Sequence, residues 1–320
     1  MVPGNSKWLI KFGVTLLLLI YLGFNMDWDL IGKTIFSIKI FPFIVSCMIS
    51  LLSSIPLAIR LRILLKPTVL EFSLIRLIQV QFISQFYSLF LPSGVGVSIA
   101  RWYKITQNRY GRGMFFAITV LERAMFLMTL LLCAGIPLLF AKDEAIQTFR
   151  SSILPVIFFL LVGCFLFFSF FLHSKIYNKF SLIIRWIQSK FSSNLIRNIL
   201  GIYEDIELYV KNRHLLIKAF IPHMFFQALD FIHLYLLFVA LSVNLPIITI
   251  LWISMLVLLI MTIPFTIGGL GVREAGLAWF LSLYGFNPET GVLLGGMMFM
   301  QLCLHAGLGA ILNILETRQS

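Results

Sequence analysis

Seven long apolar runs constrain this chain more than any other feature of its sequence. A helix needs about 20 apolar residues to cross a bilayer, and each run approaches or exceeds that length. Only 12% of the residues are charged, whereas a soluble domain carries about a quarter. We therefore expect an all-α, polytopic membrane bundle that forms one transmembrane domain over residues 1–320. The runs lie near 8–25, 40–59, 114–140, 153–172, 219–241, 247–263 and 291–315.

The formal charge of +12 narrows the classes of function. The basic residues cluster between apolar runs, so they indicate membrane topology and contacts with anionic lipid rather than nucleic-acid binding. The four cysteines lie inside apolar runs without metal-ligand spacing, and we expect neither a metal nor a cofactor. The first apolar run is not followed by a small-residue cleavage site, which indicates an uncleaved first span.

Lys and Arg residues predict how the chain is oriented in the membrane. They are concentrated in 60–76, 101–112 and 173–218, which we expect to face the cytoplasm together with the basic N-terminus. The apolar segment between the first two groups must then enter and leave on the same side. The sequence predicts a re-entrant hairpin over about 77–100 that turns at PSGVG.

Residues 175–213 predict an element of another kind. Apolar residues recur there every three or four positions, between Lys, Arg, Ser, Asn and Gln, which is the pattern of an amphipathic helix or helix pair. The segment is too polar to span a bilayer, so we expect it on the cytoplasmic surface. It either responds to lipid or packs passively there.

A second broken segment repeats the pattern of the first. PSGVGVSIAR begins at Pro92 and PFTIGGLGVR begins at Pro264, and in both a glycine follows proline by four residues and an arginine by nine. Paired Pro/Gly-broken segments in two halves of a chain are typical of inverted repeats with a binding site between them. We therefore expect a pseudo-inverted repeat with a second re-entrant segment over about 260–285.

The broken segments suggest an anion site. Interrupted helices expose backbone N–H groups and a positive dipole end, which attract phosphate, and Arg101 and Arg273 add permanent charge. We expect these arginines to hold one headgroup phosphate, with Glu274 holding an arginine when no lipid is bound. The alternative is that both segments are kinks whose arginines extend to the interface. The glycines expected to bring the backbone close to the headgroup are Gly94, Gly96, Gly268, Gly269 and Gly271.

Ionisable residues inside other spans extend the predicted site. Glu122 and Arg123 lie about 13 Å into a helix, and their angular separation of about 100° directs them to other helices. They either line a cavity or form an interhelical ion pair. His223 and Asp230 share a helix face with a glutamine and a second histidine, which indicates a proton-sensitive stripe or a polar packing contact. Further polar stripes comprise Gln81, Ser84, Gln85 and Ser88, and Gln301 and His305.

The order LPSGVGVSIAR, VLERAMFL, IPFTIGGLGVREAG resembles the flippase-like family typified by the lysylphosphatidylglycerol synthase transmembrane region, over about residues 8–315. The closing G-G-x-G-x-R-E is its most specific element. One departure stands out, because Ser93, Val97 and Ser98 replace two glycines and an aspartate of the first family motif. The departure implies a different substrate or a loss of activity.

The resemblance implies a multi-pass protein of the bacterial inner membrane that is associated with moving lipids between leaflets. The broken segments and their arginines add the expectation that the lipid is anionic or phosphate-bearing. We expect no lysyl transfer, because the soluble aminoacyl-transfer domain of two-domain relatives is absent from the sequence. We also expect no other enzyme activity, because the sequence offers no convincing nucleophile or metal constellation near the interface. The expected partners are membrane lipids. Two alternatives stay open: a non-transporting partner protein of a lipid- or glycan-synthesis system, and an integral-membrane enzyme that modifies a lipid headgroup.

Overall fold

The computed structural model of the protein describes residues 5–24, 26–68, 71–89, 96–106, 112–140, 144–172, 209, 212–263, 266 and 269–317. Twelve helices form the regular structure of these residues. They are α1 (Asn5–Phe24), α2 (Trp28–Phe36), α3 (Ile40–Leu52), α4 (Ser54–Leu65), α5 (Leu74–Ser88), α6 (Gly96–Thr106), α7 (Arg112–Phe140), α8 (Glu144–Leu172), α9 (Arg213–Ala240), α10 (Ile247–Met261), α11 (Val272–Ser282) and α12 (Pro288–Thr317).

The all-helical membrane fold expected from the sequence is confirmed. Five helical stretches are long and apolar enough to cross a membrane, and the bent pair Gly13–Phe24 and Trp28–Phe36 would make a sixth. The expected count of about seven is not confirmed, because the run at 247–263 forms only the 15-residue α10, which rises about 22 Å. The five stretches are Ile40–Leu65, Met114–Phe140, Arg150–Ser169, His214–Ala240 and Pro288–Thr317.

Polar side chains fix where two of the helices begin. The Asp27 carboxylate accepts hydrogen bonds from the first-turn N–H groups of α2, at 3.0 and 3.1 Å. The Ser73 hydroxyl accepts one from the N–H of Arg76 in α5, at 3.2 Å. Both are N-caps that satisfy backbone donors which a helix start leaves without partners.

Helices α5 and α6 pack against each other as a hairpin. Arg76 near the start of α5 donates to Glu316 of α12 at 2.6 Å, and Lys104 near the end of α6 donates to the same carboxylate at 3.4 Å. Both ends of the hairpin therefore lie at one face of the bundle, beside the end of α12. This geometry supports the predicted re-entrant segment, whose turn with Pro92 and Gly94 lies outside the described residues.

Helices α10 and α11 form a second hairpin. Trp252 of α10 meets Phe280 of α11 edge to face, with ring centroids 5.4 Å apart. The hairpin begins soon after the end of α9 and ends soon before the start of α12, at the face of the bundle opposite to Glu316. There the N–H of Lys39 donates to the carbonyl of Ala240 at 2.9 Å, just before α10 begins. The two hairpins therefore open toward opposite faces, as an inverted repeat requires.

The two halves exchange packing partners reciprocally. Each half consists of a long helix or helix pair, a hairpin and a second long helix. The first hairpin packs through α5 on α12 of the second half, and the second packs through α10 on α7 of the first half. Helices α3 and α4 both pack on α9. This reciprocity supports the pseudo-two-fold arrangement and places the polar residues of both halves inside the bundle.

Glycines of α12 allow the closest helix contacts. A Cβ added at Gly309 would lie 2.0 Å from the carbonyl oxygen of Phe82 in α5. A Cβ added at Gly291 would lie 2.3 Å from the backbone nitrogen of Ala278 in α11. Small residues at such positions let helices approach closely in membranes. Helix α12 thereby holds an arm of each hairpin.

The predicted amphipathic segment 175–213 lies outside the described residues except near its end. Tyr209 is buried there, and its hydroxyl donates to the carbonyl of Leu64 at 2.7 Å. This contact places Tyr209 beside the end of α4. The surface position predicted for the rest of the segment stays a prediction.

Candidate functional site

A cavity of about 160 Å³ lies among α4, α5, α6, α7 and α9. Its charged lining consists of three arginines and one glutamate: Arg60, Arg101, Arg123 and Glu122. The cavity is large enough for several water molecules or one phosphate group. Within the described part of the chain, its lining carries two more positive than negative charges.

Glu122 joins three helices at the centre of this cluster. Its Oε1 accepts a hydrogen bond from Nη2 of Arg60 on α4 at 3.0 Å, and its Oε2 accepts one from Nη2 of Arg101 on α6. All three residues are buried, with 5–6% of their surface exposed. This confirms that Glu122 pairs across helices. Removing one partner of such a buried network leaves an uncompensated charge and costs about 3–5 kcal/mol.

Arg60 also connects the cluster to α9. Its Nη1 lies 2.8 Å from Nδ1 of His223. A guanidinium can only donate, so Nδ1 accepts and the neutral ring carries its hydrogen on Nε2. That hydrogen faces Oγ1 of Thr129 at 3.0 Å. His223 is therefore a fully buried bridge between α4, α7 and α9, which agrees with the packing alternative.

Arg123 is arranged differently from the other two cavity arginines. It lines the cavity and is half-buried, yet it makes no hydrogen bond or ion pair with any described residue. Both oxygens of the neighbouring Glu122 are already engaged. Two further donors on the cavity lining lack partners among the described residues, Nε of Arg60 and the hydroxyl of Thr119. The cavity lining therefore contains unpaired donors beside an arginine that makes no ion pair with a described residue.

Arg273 and Glu274 form a separate buried pair at the start of α11. Oε1 of Glu274 accepts from Nε of Arg273 at 3.0 Å and also from Nη2. Oε2 of Glu274 accepts from the N–H of Gly271 at 2.7 Å. The carboxylate thus occupies the helix start where we expected a phosphate, and of the two arginines that it could hold, Glu274 contacts Arg273. Neither residue lines the cavity.

Arg101 and Arg273 lie at different levels of the bundle. The Arg273 guanidinium lies 6.0 Å from the ring centroid of Phe299 on α12. Arg101 contacts Gln81 of α5 at 3.4 Å, and the next residue of α5 packs on Gly309. Those two levels of α12 are about 15 Å apart. The structure thus brings the two arginines to different carboxylates rather than to one phosphate.

The glycines before α11 have a conformational role. Gly269 and Gly271 adopt φ values of 74° and 81°, a region that residues with a Cβ rarely adopt. A Cβ added at Gly269 would also lie 2.6 Å from the Met261 side chain, and a Cβ added at Gly271 would lie 2.7 Å from the Leu18 side chain. Their close approaches are to the protein itself. Gly96 begins α6, whereas Gly94 and Gly268 lie outside the described residues.

The sequence comparisons agree with this architecture. The family model described as the lysylphosphatidylglycerol synthase TM region matches residues 8–302. The chain belongs to this family. The lysylphosphatidylglycerol synthase TM-region match covers both hairpins, the cavity and the Arg273–Glu274 pair, and it supports a multi-pass membrane protein related to lipid metabolism or transport. No curated protein and no solved structure matches the chain.

Other polar residues of this family member make contacts within a helix or between helices. Asp230 lies 3.0 Å from Nε2 of His233 on the same helix and does not join the cavity. The hydroxyl of Ser46 on α3 donates to the His233 carbonyl at 2.7 Å and accepts from Gln301 of α12 at 2.7 Å. His305 contacts the Ser50 carbonyl at 3.0 Å. These contacts agree with the packing alternative for the polar stripes.

Arg60 is the site residue whose position the charge pattern of the sequence predicts wrongly. We expected it in a cytoplasmic basic group, but it lies inside α4, five residues before the helix ends. Its neighbour Arg62 is exposed, because residues two apart face different sides of a helix. The available signal was the apolar context IPLAIRLRILL, in which one arginine must face the bundle if the other faces the interface.

Proposed function

We propose that this protein moves an anionic, phosphate-bearing lipid between the two leaflets of the cytoplasmic membrane. The observation that carries the proposal is the cavity of Arg60, Arg101, Glu122 and Arg123, buried at membrane depth with open donors. Guanidinium groups are well suited to phosphate. Charged groups inside a bundle are costly and usually functional.

The architecture supports movement rather than static binding. The two hairpins have opposite orientations, and each packs on the other half of the bundle. Because the halves are alike, the bundle has two similar arrangements available. Transporters with inverted repeats alternate between such arrangements around a midplane site. The Arg76–Glu316–Lys104 contacts hold the first hairpin to α12 at one face. They are partly exposed, so their rearrangement has a small free-energy cost.

The location and partners form part of the same proposal. The basic face beside Arg76 and Lys104 is assigned to the cytoplasm by the positive-inside rule, which places the N-terminus there as well. The membrane is the inner membrane of a bacterium, and the partners are lipids rather than nucleic acid. In this proposal the protein moves the lipid without a cofactor and leaves its headgroup chemically unchanged.

The test is reconstitution into vesicles that carry fluorescent phosphatidic acid in both leaflets. A membrane-impermeant quencher reports how fast labelled lipid reaches the outer leaflet. A translocase accelerates this exchange over protein-free vesicles and returns the lipid chemically unchanged. A lipid-modifying enzyme would change the recovered headgroup, and a non-transporting partner protein would leave both exchange and headgroup unchanged. Either of these results would contradict the proposal.

A further inference from the structure

The charge and donor count of the cavity specifies its ligand more narrowly than an anionic lipid. Three guanidinium groups face one carboxylate among the described lining residues. Both carboxylate oxygens are occupied by Arg60 and Arg101, and Arg123 makes no hydrogen bond or ion pair with a described residue. The remaining charge of the cluster is about two positive units. In a low-dielectric interior, uncompensated charge is costly, and a bound anion of equal and opposite charge removes that cost.

We propose that the cavity binds the phosphate monoester headgroup of a lipid, a group that carries nearly two negative charges, in preference to a phosphodiester. This inference rests on the proposed function and specifies its substrate class. A phosphate monoester has a second pKa near 6, so its charge at neutral pH is about −1.5 to −2. A phosphodiester carries one negative charge and leaves one cation of the cluster uncompensated.

The unpaired hydrogen-bond donors of the cavity lining also favour a phosphate monoester over a phosphodiester. A monoester offers three terminal oxygens as strong acceptors, whereas esterification of one oxygen leaves a diester with two. The cavity offers the guanidinium of Arg123, the buried Nε of Arg60 and the hydroxyl of Thr119, all without partners among described residues. These donors come from α4 and α7. A group with three acceptor oxygens matches these donors in number.

Ser98 makes this charge balance testable. It is buried on α6 and lines the same cavity. An aspartate at this position would add one negative charge beside the arginines without removing any of them. Arg123→Gln lowers the cavity charge by the same amount from another helix. Arg62→Gln serves as the matched control, because it also removes one positive charge but lies exposed and outside the cavity.

The decisive probes are phosphatidic acid and phosphatidylmethanol with identical acyl chains. They differ by one methyl group and by about one charge, so headgroup size is nearly constant. Native mass spectrometry of the detergent-solubilised, full-length protein at pH 8 gives a Kd for each lipid. We expect wild-type protein to bind phosphatidic acid about tenfold more tightly than phosphatidylmethanol, since one charge-assisted contact contributes on that order. Ser98→Asp and Arg123→Gln should each lower this preference for phosphatidic acid to between about onefold and threefold, and Arg62→Gln should leave it at about tenfold.

The outcomes separate this inference from the proposed function. Equal wild-type affinity for both anionic lipids, each tighter than for phosphatidylcholine, would overturn the monoester inference and leave the anionic-lipid translocase intact. No preference for either anionic lipid over phosphatidylcholine would overturn both. Glycerol 3-phosphate tests the source of the phosphate, because it carries the same group without acyl chains. Binding of glycerol 3-phosphate as tight as that of phosphatidic acid would overturn the assignment to a lipid.

Discussion

Glu122 and Arg123 are neighbours in the sequence but have opposite environments. Glu122 is buried and held by two arginines from two other helices, whereas Arg123 faces the cavity and makes no hydrogen bond or ion pair with a described residue. Their divergence follows from the helix rotation of about 100° per residue. Glu122 therefore holds three helices together, and Arg123 remains available to a ligand.

The Glu122 bridge should dominate the stability of the first half. Glu122→Gln leaves Arg60 and Arg101 buried without a counter-charge, so we expect a loss of about 3–5 kcal/mol in unfolding free energy. Glu316→Gln is the matched control, because Glu316 also binds two cations but is partly exposed. It should cost no more than about 1 kcal/mol. Chemical unfolding in mixed micelles measures both, and equal losses would contradict the buried bridge.

His223 should act as a neutral bridge rather than as a proton switch. His223→Asn shortens the side chain and breaks the contacts with Arg60 or Thr129, so we expect a loss of about 1–3 kcal/mol. His214→Asn, at the exposed start of α9, is the control and should be near neutral. Lipid exchange by the folded His223→Asn protein should keep the pH profile of the wild type. A profile that loses a pH-dependent step in this variant would show that His223 titrates during transport.

The Arg273–Glu274 pair should behave as a structural unit. Arg273→Met leaves Glu274 buried with only its contact to the Gly271 N–H, so stability should fall by about 3–5 kcal/mol. Adding Glu274→Gln removes the unpaired charge and keeps the helix cap, so the double variant should recover about 1–3 kcal/mol relative to additivity. The folded double variant should still exchange lipid. Loss of exchange in that protein would instead assign Arg273 to phosphate, as the sequence motif suggests.

The hairpins should be accessible from opposite sides of the membrane. In a cysteine-free background, Ser73→Cys and Lys104→Cys flank the first hairpin, and Asn244→Cys and Asn287→Cys flank the second. Impermeant maleimide added outside intact cells should label the second pair but not the first. Labelling of Ser73→Cys and Lys104→Cys from different sides would mean that the first hairpin crosses the membrane.

Much of the fold follows from the sequence through charge and apolar length. Basic residues on both sides of 77–100 predict a hairpin, and Arg76 and Lys104 indeed meet at Glu316. The helix rotation between adjacent residues predicts that Glu122 pairs with other helices. These inferences succeed because bilayer thickness and desolvation of charge act on every segment in the same way.

The site residues depend on tertiary contacts that local patterns do not contain. Arg60 and Arg62 both end an apolar run, and only the packing of α4 on α9 decides which one is buried. The sequence predicted that Glu274 holds an arginine but could not decide between Arg273 and Arg101. In the structure Glu274 turns back to the Gly271 N–H, and the long side chain of Arg273 reaches it. A helix start permits this contact, because its first N–H groups have no intrahelical acceptor.

Lipid exchange by Arg123 variants tests the central claim most directly. In vesicles reconstituted with equal amounts of folded protein, Arg123→Gln should slow exchange of fluorescent phosphatidic acid by about tenfold or more, since a charge-assisted phosphate contact is lost. Arg123→Lys should recover only part of the rate, because an ammonium lacks the planar fork, and Arg62→Gln should match wild type. Wild-type exchange by a folded Arg123→Gln protein would contradict the assignment of this cavity as the headgroup site.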